Sequence, residues 1–259
     1  MTDGSPDVDP RNVAPRDVDR PTVLVPIRIL EGESIPEGVP AMLANAHVVL
    51  LGYHEIPEQT APGQAQLQFE DEARARLADL EALFEDAGAT VQPRLVFTHG
   101  PQKTIDRQIY EHGAIAVLVP DAVPVVETVL VAVRGTVGVD RLARLVAGLF
   151  AGTDVTLRLL HVAAADETDE DAGTLLEGVR DHLEDLGVAS EDIETNIERD
   201  EAPLDSIVAA SEDADVVVMG ESDPSIATFF FGLPADSVAE RFPGPVLVVQ
   251  RPRPEDFEA

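Results

Sequence analysis

Cysteine and tryptophan are absent from the 259 residues, and lysine occurs once, at Lys103. Without cysteine there is no disulfide framework, thiolate metal site or cysteine nucleophile. Aromatic residues amount to only 4%, so the core has to be Val, Leu, Ile and Ala. That mixture suits parallel strands covered by helices better than a β-sandwich. No apolar run approaches the roughly 20 residues needed to cross a bilayer, and the acidic N-terminal stretch lacks the apolar segment of a signal peptide. A cytoplasmic protein with no direct membrane insertion is therefore expected. Bases are scarce too, with no basic patch or aromatic platform, so nucleic acid is not an expected partner.

What is abundant is acid. Forty-nine Asp and Glu against 18 Lys and Arg leave a net charge of −31, while apolar residues still make up 44%. Acidity with near-total loss of lysine suits a cytoplasm near molar salt, where the screening length falls to about 3 Å and self-repulsion is damped.

The chain also repeats itself. Thr22-Val23-Leu24-Val25-Pro26-Ile27-Arg28 returns 106 residues later as Thr128-Val129-Leu130-Val131-Ala132-Val133-Arg134. A short apolar run of this kind is the opening strand of a buried parallel sheet, and seeing it twice implies one α/β unit in tandem. The boundaries read as an acidic tail over 1–20, a first unit over 21–126, a second over 127–252, and a tail over 253–259.

In the first unit, strands are expected at Val23–Ile27, Val48–Leu51, Val91–Phe97 and Ala114–Val119. A short helical stretch falls near Ala41–Asn45. A long helix with Leu67, Ala73, Leu77, Leu80 and Leu83–Phe84 close to helical spacing is stopped by Gly88, and a further helix lies around Thr104–His112. The second unit places strands at Val129–Val133, Val155–Val162, Ile193–Glu198 and Val216–Met219, with helices at Val139–Phe150, Asp171–Leu186 and Pro203–Ser211. It then continues where the first unit stops: Gly220 opens a loop-and-helix segment from Glu221 to Phe242, and Pro243-Gly244-Pro245 introduces a last strand, Val246–Gln250. As an apolar edge strand, Val246–Gln250 is a candidate surface for self-association, making a homo-oligomer the expectation.

Strand–helix alternation with Gly220 directly after a buried strand resembles the universal stress protein family. Val216-Val217-Val218-Met219-Gly220 and Gly244-Pro245-Val246-Leu247-Val248-Val249 look like that family's last two strands. The resemblance covers the chain from about Pro21 to Arg251 as two tandem units. It implies two parallel-sheet sandwiches of the adenine nucleotide alpha hydrolase-like kind, the first lacking its last helix and strand. It further implies dimerisation through the fifth strand and, in some members, ATP binding. Acidic tandem members of this look are typical of halophilic archaea, some acting beside amino-acid transporters, which makes a transporter a possible protein partner.

ATP-binding members share a loop of the form G-x2-G-x9-G-[S/T], whose exposed N–H groups cradle phosphates. Gly220 matches its first glycine. Asp223 stands where the second belongs and is followed by Pro224, Gly232 fits the third one residue early, and Leu233 replaces the hydroxyl residue. A carboxylate there repels a triphosphate. The aspartate that ends the opening strand in ATP-binding members is replaced by Arg28 and Arg134. These arginines pair with a local carboxylate, such as Asp140 or Asp215 in the second unit, or offer a fork to an anion.

The expected site therefore comprises Arg134, Gly220, Asp223, Gly232 and Leu233 in the second unit only. The reading is a non-enzymatic binding or regulatory module without family-type ATP binding; an ATP or AMP sensor and a partner of an amino-acid transporter are the alternatives.

Other residues add less. Phe229-Phe230-Phe231 reads as core and helix-start packing. The six histidines show no metal-ligand spacing, and His161, inside an apolar strand, reads as a satisfied core histidine. The cluster Asp166–Asp171 reads as a solvated loop. No nucleophile elbow, Walker loop or dinucleotide fingerprint is present, so a hydrolase or transferase reading has no motif behind it.

Overall fold

The computed structural model describes residues 20–135, 138–220 and 241–251. The first half contributes β1 (Thr22–Arg28), α1 (Val39–Met42), β2 (His47–Glu55), α2 (Pro62–Asp86), β3 (Thr90–Thr98), α3 (Pro101–Glu111) and β4 (Ala116–Val119). The second contributes β5 (Thr128–Val133), α4 (Val139–Phe150), β6 (Thr156–Ala163), α5 (Asp169–Asp185), β7 (Ile193–Arg199), α6 (Pro203–Ser211), β8 (Val216–Gly220) and β9 (Val246–Val249). The order follows the expected alternation. Residues 221–240, expected as loop and helix, lie outside the described residues.

The nine strands among the described residues join one sheet in the order β3-β2-β1-β4-β9-β8-β5-β6-β7. The halves share a register: β1 pairs with β4 through Val23 and Ala116, and β5 pairs with β8 through Val129 and Val216. Side chains alternate across the sheet as the two-residue period requires. Val23, Val25 and Ile27 join a core with Leu77 and Phe84 of α2, Val146 of α4 and Val179 of α5. Leu24 faces the other way, towards Ile109 of α3, and Leu130 packs with Ile207 of α6. The first of these cores runs unbroken from β1 to β7, so one apolar layer serves both halves.

Two expectations are corrected. Val246–Gln250 is not an edge. β9 runs parallel to β8 on one side and antiparallel to β4 on the other, through Ala116↔Val249 to Val119↔Val246. Because the first half has no fifth strand, the open side of β4 takes up the second half's last one. The outer strands are β3 and β7.

Leu67 and Leu83 are not on the buried face of α2; they are 91% and 47% exposed. The buried stripe is Ala65, Ala73, Leu77 and Phe84, and at about 100° per residue Leu67 lies roughly a quarter-turn away from it.

Close approaches hold the junctions. A Cβ on Gly38, whose φ is +82°, would lie 1.7 Å from the carbonyl oxygen of Val123, so the connector between the halves rests on that glycine. A Cβ on Gly244 would lie 2.3 Å from the Asp215 carbonyl oxygen. The Asp215 carboxylate accepts the N–H groups of Glu127 and Thr128, each at 2.8 Å, which ties the start of β8 to the start of β5.

Candidate functional site

In a sheet wound outward both ways from β5, the crevice for a ligand opens beyond the carboxyl ends of β5 and β8. A pocket lies there, between the ends of β5, β8 and β9. Leu142 of α4, Ile207 of α6 and Met219 of β8 give it an apolar interior, and Arg134, Gln250 and Arg251 stand among its polar lining residues. Gly138, at φ +84°, turns the chain into α4 with no side-chain cap, and it lines the pocket together with Val139. The first-turn N–H groups of a 12-residue helix therefore point towards this space. Among the described lining residues there is no Asp or Glu, in a chain that carries 49.

Arg134 and Gly220 are thus brought together as expected. Asp223, Gly232, Leu233 and Phe229-Phe230-Phe231 lie outside the described residues. Asp140 pairs with Arg144 and His182, and Asp215 is committed to the backbone contacts of the sheet, so both carboxylates named as local partners have other engagements. The equivalent arginine in the first half, Arg28, lies 3.6 Å from Glu31 and 3.7 Å from Glu33, and its backbone N–H donates to the Glu33 carboxylate.

A second, more polar recess adjoins the first and shares Arg134, Gly135, Val162 and Pro203 with it. His161, only 3% exposed, forms its inner wall. Its Nδ1 lies 2.9 Å from the Val133 carbonyl oxygen and its Nε2 2.8 Å from Glu167 Oε1. A carbonyl only accepts, so Nδ1 carries the hydrogen. The satisfied core histidine is observed, with the added result that it holds the end of β5 immediately before Arg134.

Burial pushes the Glu167 carboxyl up, but the His161 ring and the Ala164 N–H outweigh this and hold it below the usual carboxylate range. Asp200 is lowered by the Ala202 N–H and the Ser206 hydroxyl, which fasten it to the start of α6. Arg199 donates to the Ala164 carbonyl at 3.0 Å and pairs with Asp169 at 2.7 Å.

The acidic cluster is therefore not simply a solvated loop. Thr168 caps α5 by accepting the Asp171 N–H, and α5 begins at Asp169. Thr168-x-x-Asp171 is a variant of the capping box, the signal that could have revealed it. No sequence pattern marks Glu167, Gln250 or Arg251 as wall residues, because their roles come from tertiary contact.

A mostly parallel sheet layered by helices, with a crevice at its strand ends, defines an α/β protein with a nucleotide-binding-like fold. Residues 126–250 match the family model described as the universal stress protein family. A universal stress protein from Archaeoglobus fulgidus DSM 4304 is similar over 89% of this chain and 96% of its own, at 17% identity and a TM-score of 0.59. A Pseudomonas aeruginosa UCBPP-PA14 protein described as a universal stress protein is similar over 90% and 94%, at 16% identity and a TM-score of 0.51. Both likenesses span the two halves and show the shared fold. No curated protein matches the chain.

Proposed function

We propose that this chain is a non-enzymatic binding and regulatory module of universal stress type, in which the second half takes a small ligand and the first half is structural. The pocket between β5 and β8 carries this reading: apolar inside, arginine-bearing, and served by the uncapped start of α4.

An adenine nucleotide sensor is the second reading, favoured by the family match of residues 126–250 and by the position of the crevice. The composition supports work in a salt-rich cytoplasm; the resemblance to acidic tandem family members extends the proposal to a protein partner such as an amino-acid transporter. Homo-oligomerisation enters the proposal only through surfaces other than β9, which is paired on both sides.

Protein purified in molar KCl, denatured and examined by mass spectrometry for released small molecules, tests the module. A stoichiometric ligand, with a thermal shift on adding it back, supports ligand sensing. A nucleotide in that role selects the second reading. No released molecule, together with no thermal shift from any small anion, refutes the ligand site.

A further inference from the structure

His161 and Glu167 face each other in the recess that adjoins the crevice. By alternation with Leu157 and Leu159, the His161 ring lies on the sheet face covered by α4 and α5. Nδ1 faces the Val133 carbonyl oxygen at 2.9 Å and has to donate. In a neutral ring Nε2 then carries a lone pair, and it faces Glu167 Oε1 at 2.8 Å. Two acceptors approach that closely only with a proton between them. Burial pushes the Glu167 carboxyl up, yet the His161 ring and the Ala164 N–H hold it below the usual carboxylate range, so the proton belongs to the ring.

Glu167 spends its other oxygen on the backbone. Oε2 accepts the Ala164 N–H at 3.2 Å, and the Glu167 N–H donates to the Ala164 carbonyl at 3.1 Å. One carboxylate closes the loop after β6 on itself and ties it, through the ring, to the end of β5. Several charges on the flanking elements have engagements of their own. Arg199 of β7 pairs with Asp169, Asp200 accepts from Ala202 and Ser206, Asp140 of α4 meets Arg144 and His182, and Asp171 of α5 accepts from Thr168. Arg134, Asp166, Glu170, Glu198, Glu201 and, on α4, Arg141 complete the charged surroundings.

The first half fastens its matching loop differently. His99 Nδ1 lies 3.1 Å from the Ile56 carbonyl oxygen, a bond that needs one hydrogen on one nitrogen and so survives in a neutral ring. The register equivalent of His161 there is Gly52.

We propose that His161 and Glu167 form a proton-dependent latch, which holds residues 164–168 against the end of β5 while the imidazole is charged and releases them when Nε2 gives its proton to solvent. The released state leaves a lone pair against a carboxylate in a low-dielectric site, which is what opens it. The latch therefore contributes fully at low pH and is lost as pH rises through the titration of the ring. Because the recess shares Arg134 and Gly135 with the crevice, acid tightens that rim and alkali loosens it, whatever the crevice binds.

The test uses the full chain in molar KCl between about pH 5 and about pH 9, with the His161 ring nitrogens and the amide exchange of Ala164 and Glu167 followed by NMR. After correction for intrinsic exchange, protection of both amides should fall by about tenfold or more as the ring titrates. The Ile56 amide, bonded to the Thr98 carbonyl, should keep its protection. Glu167→Gln should reverse the sense: with its carbonyl oxygen on the Ala164 N–H, its amide nitrogen donates to a neutral ring, so protection is greatest at high pH and falls in acid.

Protection that ignores the ring's titration overturns the proposal, as does a ring that keeps one charge state throughout. A folded Gln variant with the wild-type sense also overturns it. Equal loss of protection at Ile56 does the same, since the opening would then be general.

Discussion

At the scale of single residues, the halves exchange bulk across neighbouring strands. By register, Gly52 on β2 corresponds to His161 on β6, and by sequence Ile29 corresponds to Gly135. A Cβ on Gly52 would meet Leu77 Cδ1 at 3.2 Å and Ile29 Cβ at 3.4 Å, whereas His161 lines a recess with Gly135, which has no side chain. The apolar runs do not reveal this pairing, which only the register exposes.

Gly38 allows a sharp prediction. Gly38→Ala adds a clash with the Val123 carbonyl to a left-handed φ and should destabilise by at least ~2 kcal/mol in denaturant unfolding. Tyr53 allows another. Burial, aided by Glu33, pushes its phenol from 10.0 up to about 12, although Arg28 opposes the shift. A raised pKa means that its stabilising contribution is complete below about pH 10 and lost as pH rises through about 12. Absorbance titration at high pH should show this late ionisation, and Tyr53→Phe should abolish it and flatten the alkaline loss of stability.

Among elements, the helices are the best read. The pattern predicts α4 at Val139–Phe150 and α6 at Pro203–Ser211, as observed, because glycine or proline marks each start and one face is apolar. The long helix is read less well: its first turns bury little beyond Ala65, so periodicity alone misplaces Leu67. The strand β9 is recognisable, but its neighbours are not. An all-apolar run states that a strand is buried on both faces and says nothing about which strands flank it.

Val248 sits opposite Val117 on β4 and Met219 on β8. Val248→Pro removes a donor in the middle of the sheet and should cost about 3 kcal/mol or more, read as a lowered thermal midpoint. The outer strands are protected differently. Pro93 lies in β3, and Glu194, Glu198 and Arg199 lie in β7, features that blunt edge pairing.

Over the whole molecule, composition and repeat anticipate the α/β class. They do not anticipate that the halves share one sheet and one unbroken core, because that depends on where the final strand goes. Two of the five residues of the expected site, Arg134 and Gly220, line the pocket; Arg251 joins them there, and Glu167 in the adjoining recess, through folding alone.

The charge of −31 makes stability depend on screening, whose length falls from about 10 Å in 0.1 M salt to about 3 Å in 1 M. Circular dichroism across a KCl titration should show loss of structure towards low salt; an unchanged spectrum would refute that expectation. The same experiment on Val248→Pro should shift the midpoint to higher salt, since a weaker sheet tolerates less repulsion.

The placement of β9 also imposes an order of assembly. During synthesis β4 emerges more than a hundred residues before the strand that completes its outer side, and until then one flank of the first half offers unsatisfied backbone groups to any passing chain. The nascent protein is thus most vulnerable in the interval before Val246 leaves the ribosome, and the closing strand acts as its own protector.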